Sequence, residues 1–229
     1  MYSDSIKHVF FDLDHTLWDF DRNSLLAYEK IFEELGISVS VSDFLTVYAP
    51  INQKYWKLYR EEQVDSISLR RGRLQETFKA FDVFFSLDKI DLIADLYIDY
   101  LPNNSYLLDG AMELLAYLAP KYQLHIITNG FREVQAKKLE RARIAHFFET
   151  VTDSEAVGVK KPNQLIFEHA LKAANACLNE SLMIGDNFEA DILGADAMGL
   201  KTICYNYHKD DIPKVFLQVS DLSTIKRYL

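Results

Sequence analysis

The sequence lacks several features that define whole classes of proteins. Only two cysteines occur among the 229 residues, Cys177 and Cys204, and neither lies in a CxxC pair. Isolated cysteines do not form a disulfide framework, so we interpret both as buried, small apolar residues in a reducing compartment. No apolar run approaches the roughly 20 residues that a membrane span needs, and the N-terminal segment is not typical of a signal peptide. We therefore expect a cytoplasmic protein with no membrane partner.

Positive charge is also scarce. The chain has 25 Lys and Arg residues against 34 Asp and Glu residues, for a formal net charge of −9. A nucleic-acid binder usually carries a basic stripe, and the densest basic run here is the short set Arg70, Arg71 and Arg73. Such a run is typical of a solvated helix face, with contact to an anionic substrate as the alternative. Because the chain is acidic and shows no basic stripe, we expect no nucleic-acid polymer as a partner. No P-loop or dinucleotide fingerprint is present either.

The sequence does contain a series of short apolar segments that are typical of strands buried on both faces of a sheet. These segments are His8–Phe11, Leu124–Thr128, Phe148–Val151, Leu182–Gly185 and Thr202–Tyr205. Helical patterns separate the last four, so strand and helix alternate from about residue 107 onward. This alternation predicts an α/β fold with a doubly wound, Rossmann-like parallel sheet.

About 90 residues separate the first predicted strand from the others, and they show helical patterns without good strand candidates. The patterns cover Ser24–Leu35, Asp43–Gln63, Leu69–Phe81 and Lys89–Leu101. We expect Pro50 to break or kink the second of these helices. The sequence thus predicts an α/β core formed by residues 1–17 and 105–229, with a helical domain inserted at residues 18–104.

Two carboxylates follow the first predicted strand, Asp12 and Asp14. In an extended segment, side chains two residues apart point in the same direction. Two like charges aimed at one spot require a cation or a shared proton. The pair therefore suits acid/base chemistry or a Mg²⁺ site, and the plainer alternative is that both acids cap a turn or helix.

Two further segments could contact a phosphate. Thr128 and Asn129 stand at the end of the second predicted strand, before Gly130. This combination suits a phosphate cradle at a helix N-terminus, or an ordinary helix cap. Lys160 and Lys161 precede a proline at the start of another predicted helix. A lysine there can supply positive charge to a phosphoryl group, although two solvated surface lysines are the simpler interpretation.

A last group of acids follows the strand that ends at Gly185. Asp186 comes directly after that strand, and Asp191 lies early in the next predicted helix. Asp186 could join Asp12 on a metal ion, whereas Asp191 could simply stabilise the N-terminus of its helix. Because ligands bind at the carboxyl edge of an open α/β sheet, we expect these groups to converge there.

Taken in order, these segments resemble the haloacid dehalogenase-like hydrolase superfamily. Its pattern is D-x-D-x-T, here from Asp12, then a strand ending in Thr or Ser, here Thr128. A lysine follows, here Lys161, and then G-D-x-x-x-x-D, here from Gly185. The resemblance spans nearly the whole chain, and the inserted helices resemble the type 1 cap of that family. Such a cap is expected to close over the site and exclude bulk water.

The resemblance implies a role for each motif residue. Asp12 would be the nucleophile that forms a phospho-aspartate, and Asp14 would be the general acid/base. Thr128 and Lys161 would hold the phosphoryl group, with help from the backbone N–H of Asn129. Lys161 is preferred to its neighbour because the lysine of the family often directly precedes the proline.

The same resemblance implies Mg²⁺ as the cofactor. Asp12, Asp186 and the backbone carbonyl of Asp14 would be its ligands, and Asp191 would support the water shell of the metal or Lys161. Mg²⁺ would offset the repulsion between the anionic nucleophile and an anionic phosphomonoester. The expected partner is thus a small-molecule phosphomonoester.

Two observations narrow the range of possible reactions and substrates. Asp14 favours phosphoryl transfer, because dehalogenases of the superfamily lack the second acid. A phosphosugar mutase uses the same acids and remains an alternative activity. The segments Thr128–Phe131, Val157–Val159 and Lys161–Pro162 resemble the noncanonical pyrimidine 5′-nucleotidase branch. We therefore expect a phosphatase of pyrimidine nucleoside monophosphates, with sugar phosphates or other small phosphomonoesters as alternatives.

Two other classes of protein remain as rivals. A receiver-like phospho-acceptor module also combines acids, a Thr and a Lys around Mg²⁺, but in a different order and without a large insertion. A catalytically silent binding protein on the same fold is disfavoured by the complete set of acids.

Near the first motif, Trp18 and Phe20 could stack on a base, although packing at a hinge is the more ordinary role of such residues.

Overall fold

The computed structural model describes residues 5–229 and contains one parallel sheet. Its strands are β1 (His8–Phe11), β2 (Gln123–Thr128), β3 (Phe148–Asp153), β4 (Ser181–Gly185), β5 (Lys201–Tyr205) and β6 (Gln218–Val219). Their order across the sheet is β3-β2-β1-β4-β5-β6, and all neighbours run parallel. The predicted doubly wound α/β fold is confirmed. Strand β6 was not predicted, because two residues form no recognisable apolar run.

The α-helices are, in chain order, α1 (Phe20–Leu35), α2 (Val41–Arg60), α3 (Ser66–Lys79), α4 (Leu87–Tyr100), α5 (Ala111–Leu118), α6 (Arg132–Arg141), α7 (Ser154–Val157), α8 (Gln164–Ala173) and α9 (Gly194–Asp196). A π-helical turn, Phe188–Leu193, precedes α9. The chain divides into two compact units. One contains the residues up to Phe20 together with Ser105–Leu229, and the other is Asp21–Asn104.

The core of the α/β unit forms because strand residues on both faces of the sheet are apolar. All four residues of β1 and all five of β4 are buried. On one face, Phe10 and Met183 pack with Ile166 and Phe167 of α8. A central parallel strand without solvent contact has to read as a continuous apolar run, which is why β1 and β4 were recognisable from sequence.

The helical unit is held by an aromatic cluster that helices α1, α2, α3 and α4 share. The ring of Tyr28 lies 4.6 Å from that of Tyr97 and 4.9 Å from that of Phe44, measured between centroids. Helix starts are marked by caps such as Asp65, whose carboxylate accepts a 2.7 Å hydrogen bond from the backbone N–H of Ser68. Apolar periodicity and caps together explain why these helices could be predicted from sequence.

Two expectations for the helical unit need correction. Helix α2 is continuous through Pro50, so the break expected there is absent, whereas a kink at Pro50 stays a prediction. Proline removes one backbone hydrogen bond, but Phe44, Tyr48 and Asn52 are buried along the helix, and this packing outweighs the lost bond. Arg73, assigned to a solvated run, is 2% exposed, and its Nη1 donates a 2.8 Å hydrogen bond to Oδ1 of Asn52.

The cysteines agree only in part with the sequence interpretation. Neither cysteine forms a disulfide within residues 5–229. Cys204 is buried as predicted, and burial raises the pKa of its thiol to about 12. Cys177 is exposed, contrary to the prediction, because it lies in the connection between α8 and β4. In the described part of the chain, no helix combines the length and apolarity needed to cross a membrane.

A buried pair of histidines should make stability depend on pH. Nδ1 of His8 lies 3.1 Å from Nε2 of His125, and burial lowers the pKa of His125 to about 4. The unfolded chain takes up this proton near pH 6.5, so protonation favours unfolding as pH falls from about 6.5 to 4. We expect the free energy of unfolding to be roughly 2 kcal/mol lower at pH 5 than at pH 7 on this account.

Urea unfolding at both pH values measures this effect, and His125→Gln provides the comparison. Glutamine keeps a polar side chain but does not titrate, so the variant should lose less stability between pH 7 and pH 5 than the unmodified protein. An exposed histidine, His169, serves as a control, since His169→Gln should leave the pH dependence unchanged. Equal losses in the unmodified protein and in His125→Gln would contradict the interpretation.

Candidate active site

The predicted site residues come together at the carboxyl edge of the sheet, around its central strand. Asp12 follows β1 directly, Thr128 is the last residue of β2, and Asp186 follows β4. Strands β2 and β4 lie on either side of β1. Strands β2 and β3 extend the sheet on one side of β1, and β4, β5 and β6 extend it on the other. The point at which the strand order reverses in this way leaves a crevice for a ligand.

Lys161 lies at the centre of this group. Its Nζ donates hydrogen bonds to Oδ1 of Asp12 at 2.6 Å and to the carbonyl oxygen of Ile127 at 2.6 Å. A salt bridge to Oδ1 of Asp191 measures 2.7 Å. The side chain is 1% exposed. Burial by itself lowers the pKa of a lysine, but Asp12 and Asp191 outweigh that effect and raise the pKa of Lys161. Lys161 is therefore a fixed positive charge beside Asp12.

Asn129 holds Lys161 in place through its side chain. Its Oδ1 accepts a 2.8 Å hydrogen bond from the backbone N–H of Lys161, and its Nδ2 donates a 3.0 Å bond to the carbonyl oxygen of Lys161. The carbonyl oxygen of Asn129 accepts a 3.2 Å bond from Oγ of Ser154. This two-point contact fixes the backbone from which the lysine extends, a role that the sequence did not indicate. A contact of the Asn129 backbone N–H with a phosphoryl group stays a prediction.

Three buried carboxylates form a cluster that suits a divalent cation. Asp12, Asp186 and Asp191 offer oxygen atoms within 4.8 Å of one another. Burial raises the pKa of Asp12 and of Asp191, with Lys161 opposing the change in both. Three carboxylates thus lie together, and the ammonium group of Lys161 pairs with two of them, Asp12 and Asp191. The excess negative charge and the all-oxygen donor set fit Mg²⁺.

Neighbouring groups fix the orientation of these acids. Oγ1 of Thr16 donates a 3.0 Å hydrogen bond to Oδ1 of Asp186, and the backbone N–H of Asn187 donates a 3.0 Å bond to Oδ2 of Asp191. A Cβ atom on Gly185 would lie 2.3 Å from Oδ2 of Asp191. Glycine is therefore required at position 185, because any side chain would displace the Asp191 carboxylate.

Asp14 belongs to a separate network on the side of α6. Its Oδ1 pairs with Nζ of Lys138 at 2.6 Å, and its Oδ2 accepts a 2.9 Å hydrogen bond from Nε2 of Gln135. The same nitrogen of Gln135 donates a 2.7 Å bond to Oγ1 of Thr128. Gln135 thus connects Asp14, in the segment after β1, to the hydroxyl group of Thr128 at the end of β2. The carboxylate of Asp14 is 25% exposed, so it remains accessible to a ligand.

Lys138 and Gln135 were not assigned a role from the sequence. Lys138 is buried with its Nζ 4.2 Å from the ring centroid of Trp18, and burial lowers the pKa of its ammonium group against the opposing effect of Asp14. A Cβ atom on Gly130 would lie 2.4 Å from Nε2 of Gln135, so glycine makes room for this side chain. Polar side chains on the buried face of a helix, three positions apart, are the signal that could have identified the pair.

The two aromatic residues after the first motif lie in different environments. Trp18 is completely buried, and its ring is 6.3 Å from that of Phe20 between centroids. Trp18 also pairs with Leu107 in an antiparallel bridge, at the point where the chain returns from the helical unit. Trp18 is therefore not available for stacking on a base, whereas Phe20 is partly exposed.

The sheet and the group of acids around Lys161 together define a hydrolase family. The chain belongs to the haloacid dehalogenase-like hydrolases, whose family model matches residues 6–199. It is similar to pyrimidine 5′-nucleotidase YjjG of Escherichia coli, with 32% identity over 90% of this chain and 88% of that protein. The family resemblance inferred from the motifs is confirmed.

Two further comparisons extend this relationship. The chain is 34% identical to a glyceraldehyde 3-phosphate phosphatase of Pyrococcus abyssi, over 89% of this chain and 83% of that protein. A crystal structure of the HAD-hydrolase YfnB from Bacillus subtilis, bound to magnesium, has a TM-score of 0.89 with 27% sequence identity and 98% coverage of each chain. Relatives named for different substrates are thus similar in sequence to this chain over most of its length.

Proposed function

We propose that this chain is a Mg²⁺-dependent phosphomonoester hydrolase that forms a phospho-aspartate on Asp12. The observation that carries the proposal is the position of Asp12, buried between one lysine and two further carboxylates. A carboxylate that only forms a structural ion pair can stay at the surface. The burial of Asp12 among other charged groups therefore supports its role as a nucleophile.

The attacking atom follows from the contacts of Asp12. Lys161 binds Oδ1, so we assign the attack on phosphorus to Oδ2. As the new bond forms, the bond from phosphorus to the leaving oxygen breaks, and Asp14 gives its proton to that oxygen. Thr128 and Lys161 hold the oxygens of the phosphoryl group in place.

The second step reverses the role of Asp14. A water molecule attacks the phosphorus of the aspartyl phosphate, Asp14 takes a proton from that water, and inorganic phosphate leaves as Asp12 is regenerated. The contact of Lys138 Nζ with Oδ1 of Asp14, at 2.6 Å, holds the Asp14 carboxyl group in one position for both steps. We therefore assign Lys138 and Gln135 as positioning residues that hold Asp14 toward the reacting oxygen.

The metal would be held by Asp12, Asp186 and the backbone carbonyl of Asp14. Asp191 would support this arrangement through Lys161, with which it forms a buried salt bridge. When bound, Mg²⁺ supplies positive charge that offsets the repulsion between the substrate and the carboxylates. The helical residues 18–104 are, on this proposal, the cap domain that contributes to substrate selection.

For the substrate we propose pyrimidine nucleoside 5′-monophosphates. The support is the similarity to a relative named as a pyrimidine 5′-nucleotidase, together with the segments around Thr128 and Lys161. Small sugar phosphates are the second candidate, because a relative of similar identity is named as a glyceraldehyde 3-phosphate phosphatase. Both candidates use the same mechanism and differ only in the leaving alcohol.

Phosphate release from a substrate panel separates these candidates. We expect pyrimidine monophosphates to give a higher kcat/KM than purine monophosphates, glyceraldehyde 3-phosphate or hexose phosphates. Chelator should abolish the activity, and added Mg²⁺ should restore it. Faster turnover of a sugar phosphate would keep the mechanism and overturn the nucleotide assignment. Transfer of phosphate between two positions of one sugar, without release, would indicate a mutase instead.

A further inference from the structure

A cluster of two histidines and one acid lies beside the proposed Mg²⁺ ligands. His15, Asp186 and His208 each offer a ligand atom, and these atoms lie within 4.8 Å of one another. Nε2 of His208 is 3.2 Å from Oδ2 of Asp186, and the rings of His15 and His208 are 5.0 Å apart between centroids. The proposed mechanism gives neither histidine a role. The cluster therefore needs a separate explanation.

The donor set differs in chemistry from the carboxylate cluster around Asp12. Two imidazole nitrogens and one carboxylate oxygen suit Zn²⁺, Co²⁺, Ni²⁺ or Cu²⁺, whereas Mg²⁺ prefers oxygen ligands alone. Three protein ligands also leave at least one coordination position for water. Both histidines are partly exposed while Asp186 is buried, so an ion can enter from the side of the imidazoles.

The local backbone directs these side chains toward Asp186. His15 has φ of 60°, a conformation that few non-glycine residues adopt but in which histidine is enriched. The loop that carries His208 is fixed by Asn206, whose Nδ2 and Oδ1 bind the backbone O and N–H of Asp210 at 2.9 and 2.8 Å. Thr16 occupies Oδ1 of Asp186. Oδ2 is therefore the oxygen that faces His208.

The distances require a small adjustment. With bonds of 2.0–2.2 Å, ligand atoms of a tetrahedral site lie about 3.3 Å apart. His208 and Asp186 already have that spacing, at 3.2 Å. His15 has to approach by a shift on the order of 1 Å, which rotation of a partly exposed imidazole can supply.

We propose that His15, His208 and Asp186 form a binding site for a transition metal of the zinc class. Because Asp186 is shared with the proposed Mg²⁺ site, occupation by Zn²⁺ withdraws a ligand and inhibits turnover. The binding site itself is independent of the proposed function, whereas the inhibition rests on it. The site would make the enzyme sensitive to the level of free zinc.

Cobalt is the probe for the binding site. Chelator-treated protein in excess Mg²⁺ is titrated with Co²⁺, and we expect a visible d–d band that saturates at one ion and disappears when Zn²⁺ is added. His208→Gln and His15→Gln should each weaken Co²⁺ binding by roughly tenfold or more. His169→Gln, at an exposed site in α8, is the matched control and should bind like the unmodified protein. Circular dichroism checks that each variant is folded.

The outcomes distinguish this proposal from the proposed function. Absence of the cobalt band, or unchanged Co²⁺ affinity in both His15→Gln and His208→Gln, overturns the metal site whatever the phosphatase activity is. A further measurement compares Zn²⁺ inhibition of phosphate release in the unmodified protein and in His208→Gln, each relative to its own zinc-free rate. We expect the concentration for half inhibition to rise at least about tenfold in the variant. Equal inhibition would refute the link between zinc binding and turnover.

Discussion

Replacing Asp12 with Asn should lower the rate of phosphate release by about 10⁴-fold or more without unfolding the protein. The amide oxygen is a poor nucleophile, so no phospho-aspartate forms. Lys161 keeps its bonds to Asp191 and to the carbonyl oxygen of Ile127. Removing one of three clustered carboxylates also relieves repulsion, so we expect the free energy of unfolding of the metal-free protein to stay equal or rise.

The measurement pairs steady-state kinetics with urea unfolding for Asp12→Asn and for Asp196→Asn. Asp196 is an exposed acid in α9 of the same unit, so the same chemical change there should leave the rate intact. Rapid-quench experiments with ³²P-labelled substrate should trap a labelled protein only when Asp12 is present. If Asp12→Asn keeps full activity, Asp12 is not the nucleophile, whether or not ³²P is trapped on the variant.

Replacing Lys138 with Met should reduce kcat by about 10²-fold for a nucleotide, whose leaving alkoxide needs a proton. The variant keeps most of the side-chain volume but removes the charge that lies 2.6 Å from Asp14. With p-nitrophenyl phosphate the first step, seen as nitrophenolate release in a single turnover, should slow much less, because nitrophenolate leaves without protonation. The second step is the same for both substrates, so the ratio of the two first-step rates reports on proton transfer to the leaving oxygen. A general loss of stability would not change this ratio.

Two further substitutions, one at position 138 and one at position 137, serve as controls for this experiment. Lys138→Arg keeps the positive charge and should recover much of the nucleotide activity. Lys137→Met removes an exposed lysine that pairs with Glu133 and should have no effect on either substrate. If Lys138→Met slows the first step equally for both substrates, Lys138 supports the structure and does not position Asp14 for proton transfer.

The strands and motif residues were predictable because their signals are local. A strand buried on both faces has to be apolar, so β1, β2 and β4 stand out as short runs that end in polar residues. Parallel strands bring their carboxyl ends to one edge, which places Asp12, Thr128 and Asp186 near one another. The family motifs add Lys161, whose meeting with Asp12 no local pattern would show.

Other features depend on contacts between distant parts of the chain. Lys138 and Gln135 lie in α6 and contact Asp14, from which they are separated by 124 and 121 positions in the sequence. Their signal is weak, because a charged helix face normally lies in water. The need for glycine at position 185 also depends on packing, because the neighbour that approaches it is the carboxylate of Asp191.

The sequence by itself therefore determined the fold class, the order of the motifs and the family, because periodicity and motif spacing are properties of short segments. Packing decided which partner each polar side chain has. Asn129 binds the backbone of Lys161, Gln135 joins Asp14 to Thr128, and His208 approaches Asp186. These partners become neighbours only when the strands assemble on both sides of β1. The assignment of polar contacts therefore required the tertiary structure.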